Sequence, residues 1–155
     1  MNFQAALLVV KNMERSVNFY KEVLGLRVTM DLGANVTLTG GVALQTQDSW
    51  CEFISKDLQS ISFGGNAAEL YFEEDKFDDF LKKLAAIKGI FYVHPVLQYS
   101  WGQREIRFYD PDFHSLEIGE NMKSVCRRFL DSGMTIEAAA VRMNAPEKFV
   151  RACVR

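Results

Sequence analysis

The sequence predicts an α+β fold made of two copies of one small unit, followed by a helical extension. Three observations predict it. The order strand, helix, three strands occurs twice within residues 1–120. A shift of 64 residues superposes the apolar stripes of the two helices and places Gly25 on Gly89. The charge also divides, because residues 1–120 carry a net charge of −6 and residues 121–155 carry +4.

The first unit, residues 1–65, begins with an apolar, β-branched run at 3–10 that predicts a buried strand. A helix is predicted over residues 13–23, because its apolar residues recur at helical spacing. Asn12 is placed to cap its first turn, and Gly25 to end it in the left-handed conformation. Strands are then predicted over residues 26–32, 35–39 and 42–46, and a helix or an irregular loop over 49–58.

The second unit, residues 66–120, repeats this order. Residues 67–73 predict a strand, and apolar residues from Phe77 to Ile87 form a helical stripe that ends at Gly89. Three more strands are predicted over residues 90–98, 103–109 and 114–119, with Asp110–Pro111–Asp112 as the turn before the last.

The basic extension, residues 121–155, predicts three short helices at 121–131, 135–143 and 146–153. The segment TIEAAAVRMNAPEKFVRACV resembles a helix-turn-helix, so a ligand-responsive DNA-binding protein is one alternative. We favour a helical appendage that packs on the body or across a dimer, because the motif is degenerate and the whole chain is acidic. Nucleic acid is therefore not the expected partner. The basic residues nearest the motif are Arg142, Lys148, Arg151 and Arg155.

Composition narrows the class of protein further. Of the 155 residues, 48% are apolar and 25% are charged, which is ordinary for a globular domain large enough to need no structural metal. No apolar run approaches the ~20 residues that span a bilayer, so no membrane partner is expected. The three cysteines form no CxxC pair and are odd in number, which favours the reducing cytoplasm.

The two predicted sheets are expected to pair into one curved, cupped mixed sheet with the helices on its outer face. The pairing can close within one chain or exchange between two chains. In either case the concave face is lined by residues of both units, and concave faces with a few polar groups are the usual sites for small molecules.

Two segments carry a family resemblance. NMERSVNFYKEVLGLRV in the first unit and WGQREIRFYDPDFHSLEIGE in the second resemble the vicinal oxygen chelate (VOC) superfamily. This superfamily includes glyoxalase I, bleomycin-resistance proteins, fosfomycin-resistance enzymes and extradiol dioxygenases. The resemblance covers residues 3–120, and its most specific part is the DPD-x-H-x-[LI]-E ending. It implies paired βαβββ modules, a cupped pocket, a homodimer and often a divalent metal.

The resemblance also implies four metal-ligand positions, which in this chain are Ala5, Gln45, Glu69 and Glu117. Alanine offers no donor atom, and a neutral amide is a poor ligand for a transition metal. His94 is expected near solvent and does not replace the missing donors. No resident cofactor is therefore expected. The alternative is a divalent metal held by Gln45, Glu69 and Glu117 in a glyoxalase-like lyase or a dioxygenase-like enzyme.

Aromatic residues on strands and border loops suit the stacking of a planar or sugar-decorated ligand. They are Trp50, Phe53, Tyr71, Tyr99 and Trp101. Three roles stay open for Arg104: a pair with Glu117 or Glu69, a contact with a ligand carboxylate or phosphate, and a surface ion pair, which is the commonest role for a lone arginine. If Glu69 and Glu117 lie close together, their repulsion raises one pKa and makes them the candidate catalytic acid and base. We favour the other interpretation, in which these carboxylates are hydrogen-bonded to tyrosine, amide or arginine groups.

The sequence thus predicts a cytoplasmic, homodimeric small-molecule-binding protein with its ligand in the cup, and leaves catalysis open. The predicted ligand-binding residues are Gln45, Trp50, Glu69, Tyr99, Trp101, Arg104 and Glu117.

Overall fold

The structure is a computed structural model that describes residues 1–153. It contains two four-stranded sheets. The first has the strand order β1 (Ala6–Val10), β4 (Val42–Thr46), β3 (Asn35–Leu38), β2 (Val28–Asp31), and the second has the order β5 (Glu69–Glu74), β8 (Ser115–Glu120), β7 (Arg104–Tyr109), β6 (Phe91–Gln98). Each sheet follows the order strand, helix, three strands, so the predicted α+β class and the duplication are confirmed. The chain divides into two compact units. Unit 1 comprises Met1–Glu69 and Tyr109–Ser115, and unit 2 comprises Leu70–Phe108 and the residues from Leu116 onward.

In the first sheet, β1 pairs with β4 in parallel. The other two pairs, β4 with β3 and β3 with β2, are antiparallel. Parallel pairing of the first and last strands requires a crossover, which helix α1 begins. The elements are β1 (Ala6–Val10), α1 (Met13–Leu24), β2 (Val28–Asp31), β3 (Asn35–Leu38), β4 (Val42–Thr46), α2 (Gln47–Ile54) and a 3-10 turn (Leu58–Ser60).

Both predicted caps of α1 are confirmed. The Asn12 side chain accepts a hydrogen bond from the Arg15 backbone N–H, and Gly25 ends the helix at φ 70°. The helix buries Tyr20 and Val23, and it contacts β4, where Leu44 is buried completely. This apolar layer forms the core of the first sheet.

Helix α2 resolves the alternative left open for residues 49–58, since a helix ends at Ile54 and the remainder is irregular apart from the 3-10 turn. It contacts β1 and β4 and buries Cys51. Burial, with Asp48 and Asp57 nearby, raises the pKa of the Cys51 thiol, so this cysteine is not an activated nucleophile.

The second sheet has its core on the side of helix α3, where Phe80 stacks on Phe108 with ring centroids 6.5 Å apart. Leu84, Leu116 and Ile118 are buried in the same unit. The elements are β5 (Glu69–Glu74), α3 (Phe77–Ala86), β6 (Phe91–Gln98), β7 (Arg104–Tyr109) and β8 (Ser115–Glu120).

The extension forms the three predicted helices, α4 (Met122–Asp131), α5 (Ile136–Met143) and α6 (Glu147–Cys153). Arg155 lies outside the described residues. The helices share a core of their own that includes Val125, Phe129 and Val150. Within the described chain, no helix is long and apolar enough to cross a membrane.

Two basic residues of the extension have acidic partners. Arg151 pairs with Glu137 and Glu147, and Arg128 pairs with Glu120. Arg128 also helps to lower the pKa of Asp78, after the larger effects of Arg104 and Lys82. DNA binding by these helices stays the less favoured alternative.

The Asp110–Pro111–Asp112 turn packs against α1 within unit 1. The Tyr20 hydroxyl donates to Asp110 at 2.9 Å, and the Arg15 guanidinium donates to Asp112 at 2.6 Å. Phe113 follows at φ 65°, a left-handed conformation in which glycine is ordinarily favoured. Buried carboxylates in this turn therefore tie it to the first helix of the chain.

Candidate ligand site on the second sheet

The alternation of β7 divides its side chains between the two faces of the second sheet. Phe108 faces α3, and Arg104 has the same parity. Arg104 donates to Asp78 of α3 at 2.8 Å and to Glu120 at 3.1 Å. Of the roles considered for Arg104, a pair with Glu117 or Glu69 is therefore wrong, whereas an ion pair with other residues near the surface is observed. The reason is strand alternation, which places the Arg104 side chain on the face toward α3 and the Glu117 side chain on the opposite face.

The opposite face carries a cluster centred on Arg107. Its guanidinium donates to the carboxylates of both Glu105 and Glu117. The side chains of Glu105 and Glu117 are 3% and 10% exposed, so both charges are largely removed from water. Buried carboxylates need such a partner, because burying an unpaired charge is strongly unfavourable.

Tyr99 and His94 complete the cluster. The Tyr99 hydroxyl donates to Glu105 at 2.5 Å and accepts from Arg107 at 3.0 Å. His94 Nε2 lies 3.3 Å from the Arg107 guanidinium and 4.0 Å from Glu105. The side chain of His94 is 22% exposed, so it reaches solvent in part and also contacts buried charged groups.

An aromatic pair stands beside this cluster. Tyr99 and Trp101 stack with their ring centroids 4.3 Å apart and their planes within 6°. The Trp101 indole N–H donates to Gln103, whose own amide donates to the Tyr71 hydroxyl at 2.9 Å. These bonds fix the orientation of the aromatic rings.

Gly119 of β8 makes room for the bond between Gln103 and Tyr71, which spans that strand. An added Cβ would lie 2.7 Å from the Gln103 amide nitrogen and 3.1 Å from the Tyr71 ring. Tyr71 also donates to Glu73 at 3.0 Å, and its pKa is raised, with burial the largest cause. Tyr71 as a residue is 49% exposed, so part of its surface is accessible to a ligand.

The charge on this face is net negative. The face carries three carboxylates, those of Glu73, Glu105 and Glu117. Its basic groups are the Arg107 guanidinium and the His94 imidazole. The balance stays negative whichever protonation state His94 takes. Such a face favours positively charged ligands over anions.

The donors that the family would use for a metal are committed to other partners. Glu117 is bound by Arg107, and Gln45 is 2% exposed, accepts from Asn35 at 2.7 Å and donates to Ser49 at 2.5 Å. Ala5 supplies no donor. Within residues 1–153, no group of three or more His, Cys, Asp or Glu residues could hold a metal ion. These residues do not fit a tight metal centre.

The structure brings only part of the predicted site together. Tyr99 and Glu117 contact the Arg107 cluster, and Trp101 stacks on Tyr99. Gln45 and Trp50 belong to unit 1, as does Glu69, the exposed first residue of β5.

Sequence reasoning missed Glu105 and Arg107. The signal that could have found them is the segment REIRFY, in which charged residues alternate with apolar ones. Residues 105 and 107 then share a parity opposite to that of the buried Ile106 and Phe108.

Comparison with known proteins identifies the family. Residues 3–123 match the family model described as a glyoxalase-like domain. A protein of unknown function from Agrobacterium tumefaciens str. C58 is 34% identical, with a TM-score of 0.69, and the match covers 78% of this chain and 94% of that one. No curated protein shows significant similarity to the chain.

Two further solved structures share the fold. A glyoxalase/bleomycin resistance protein/dioxygenase from Nocardioides is 22% identical with a TM-score of 0.64, covering 77% of this chain and 83% of its own. A glyoxalase/bleomycin resistance protein/dioxygenase family enzyme from Burkholderia phytofirmans PsJN is 15% identical with a TM-score of 0.66, and the match covers 77% of this chain and 98% of that one. The chain therefore belongs to the glyoxalase/bleomycin-resistance/dioxygenase superfamily, which is the vicinal oxygen chelate superfamily.

Proposed function

We propose that this protein binds a small planar organic cation on the acidic face of its second sheet and has no tight metal centre. The observation that carries the proposal is the pairing of Arg107 with Glu105 and Glu117. A metal dication at Glu117 would have to displace a guanidinium that already neutralises it. An organic cation needs no such displacement, since the net negative charge of the face and the carboxylate of Glu73 attract it from outside the cluster.

Aromatic and acidic groups supply the two parts of this recognition. The half-exposed ring of Tyr71 offers a flat apolar surface, and Glu73 hydrogen-bonds to its hydroxyl. A planar cation can rest on the ring and direct its charge toward the carboxylate. The stacked Trp101 supports the same preference for flat ligands. A role for Gln45, Trp50, Glu69 and Arg104 in ligand binding stays a prediction.

Calorimetric titration with three isosteric probes tests this proposal. Benzamidinium, benzamide and benzoate share one ring and differ in charge, and we expect affinity to fall in that order. Glu73→Gln is expected to weaken benzamidinium binding roughly two- to fivefold, as befits an exposed charge. Glu52→Gln, an exposed change in unit 1, is the matched control. Preference for benzoate would refute the proposal and make Arg107 an anion receptor.

The alternative function is a metal-dependent glyoxalase-like lyase or a dioxygenase-like enzyme. It requires Gln45 to give up its bonds to Asn35 and Ser49, and Glu117 to give up Arg107. We infer that a binding protein agrees better with these contacts. A cytoplasmic location belongs to the same proposal and is supported by three buried cysteines that are free thiols in the described chain.

We also propose that the protein is a homodimer in which a second copy covers an edge strand. Strand β6 is an edge of the second sheet, is eight residues long and leaves Phe91, Val93 and Leu97 exposed. A long apolar edge strand invites pairing with another chain unless it is covered.

Light scattering measures this directly, and we expect the mass of two chains. Val93→Lys is expected to shift the protein toward the monomer, because it places a charge on the edge. Ala85→Lys, on the exposed side of α3, should leave the mass unchanged. A monomeric mass for the unchanged protein would refute the dimer.

A further inference from the structure

Unit 1 contains a cavity of about 310 Å³ that the proposed function does not use. It lies among β1, α2, the segment after the 3-10 turn and the ring of His114. It is lined both by apolar residues, Val9, Trp50 and Phe63 among them, and by polar residues that include Ser62 and His114. A cavity of this size and lining is within the range of small-molecule sites.

A buried carboxylate fixes the orientation of the His114 side chain. Its Nδ1 lies 2.9 Å from a carboxylate oxygen of Asp110, whose side chain is fully buried. Burial raises the pKa of Asp110, but the hydrogen bonds from His114, the positive charge of a protonated His114 and the hydrogen bond from Tyr20 outweigh it and hold that pKa below its usual value. The ionised carboxylate only accepts hydrogen bonds, so Nδ1 carries the proton.

The other ring nitrogen is therefore the one available to a ligand. Nδ1 is turned toward Asp110, which does not line the cavity, whereas His114 is a lining residue and its ring meets the lining residue Phe63. When the imidazole is neutral, Nε2 is a hydrogen-bond acceptor. No group within residues 1–153 donates a hydrogen bond to it. The cavity thus has one oriented acceptor.

The aromatic walls are also held in place. The Phe63 ring meets His114 edge-on at 6.1 Å, and the Lys11 ammonium lies 4.4 Å from the centroid of the Phe63 ring. Trp50 comes from α2. Rigid aromatic surfaces of this kind favour flat apolar ligands.

We propose that this cavity binds a small planar aromatic molecule that donates an O–H or N–H hydrogen bond to His114 Nε2. A purely structural histidine would use only Nδ1, through its bond to Asp110. The two roles can be separated, because His114→Asn keeps an N–H group near the position of Nδ1 and removes Nε2.

Phenol and anisole are the probes, since anisole replaces the O–H donor by a methyl ether. The protein has two tryptophans, so Trp101→Phe leaves Trp50 as the fluorescent reporter. In mildly alkaline buffer we expect phenol to quench Trp50 saturably, and anisole to bind about tenfold more weakly. We expect His114→Asn to bind phenol about tenfold more weakly as well, with an unchanged midpoint of thermal unfolding.

Three outcomes would overturn the proposal. They are the absence of saturable phenol binding, equal binding of phenol and anisole, and full phenol affinity in His114→Asn. If His114→Asn does not fold, the comparison of phenol with anisole still decides. The probes are uncharged and the reporter lies in unit 1, so a failure here is distinguishable from a failure of cation binding on the second sheet.

Discussion

Gly102→Ala is expected to lower the free energy of unfolding by about 3 kcal/mol or more, as overpacking and backbone strain add together. Gly102 has a φ of 90°, where an L side chain is strained. The added Cβ would also lie 2.1 Å from the ring of Phe129, which is 5% exposed in the core of the extension. Neither the turn nor α4 can accommodate it without moving.

Gly133→Ala is the matched control for this prediction. Gly133 has a φ of 91°, but no atom lies within 4 Å of its added Cβ. The free energy of unfolding of Gly133→Ala should fall by about 1–2 kcal/mol, through backbone strain alone. Urea unfolding of both variants measures the difference. Equal losses would show that the contact between Gly102 and Phe129 contributes nothing.

The same substitution tests a role for the extension. Arg128 of α4 donates to the Gly102 carbonyl at 2.8 Å, and Gly102 directly follows Trp101. The extension therefore supports the turn that carries the aromatic pair. We expect Gly102→Ala to weaken benzamidinium binding as well, whereas Gly133→Ala should leave it unchanged.

Arg107→Met is expected to destabilise the protein by about 3–5 kcal/mol, because it leaves two buried carboxylates without their cation. Methionine retains much of the apolar stem, so the loss of charge dominates. Arg151→Met is the control, since Arg151 is 56% exposed in its ion pairs and should lose at most about 1 kcal/mol.

A triple variant separates charge from packing at the same place. Combining Arg107→Met with Glu105→Gln and Glu117→Gln removes the unpaired charges and should recover much of the lost stability. Urea unfolding measures all of these variants. If Arg107→Met and Arg151→Met unfold alike, or if the triple variant recovers nothing, Arg107 does not hold the cluster together.

Local signals predicted much of the fold. Asn12 and Gly25 set the ends of α1 through short-range capping, which a sequence displays directly. The repeated order of elements follows from apolar periodicity. The attachment of the Asp110–Asp112 turn to α1 did not follow, because it joins residues 97 positions apart through buried hydrogen bonds.

The site was less predictable than the fold. Arg104 and Arg107 are similar in sequence terms, and only the parity of β7 decides which one meets Glu117. Gln45 was identified as a candidate ligand, yet its amide is satisfied by Asn35 and Ser49. Ser49 belongs to α2, whose helical state the sequence left open, so this partner could not be foreseen.

The metal content of protein purified without chelators tests the central claim most directly. Because Arg107 occupies Glu117, we predict far less than one equivalent of nickel, zinc, manganese or iron per chain, with no change in Glu117→Ala. Stoichiometric metal that is lost in Glu117→Ala would contradict the account and favour the metal-dependent enzyme.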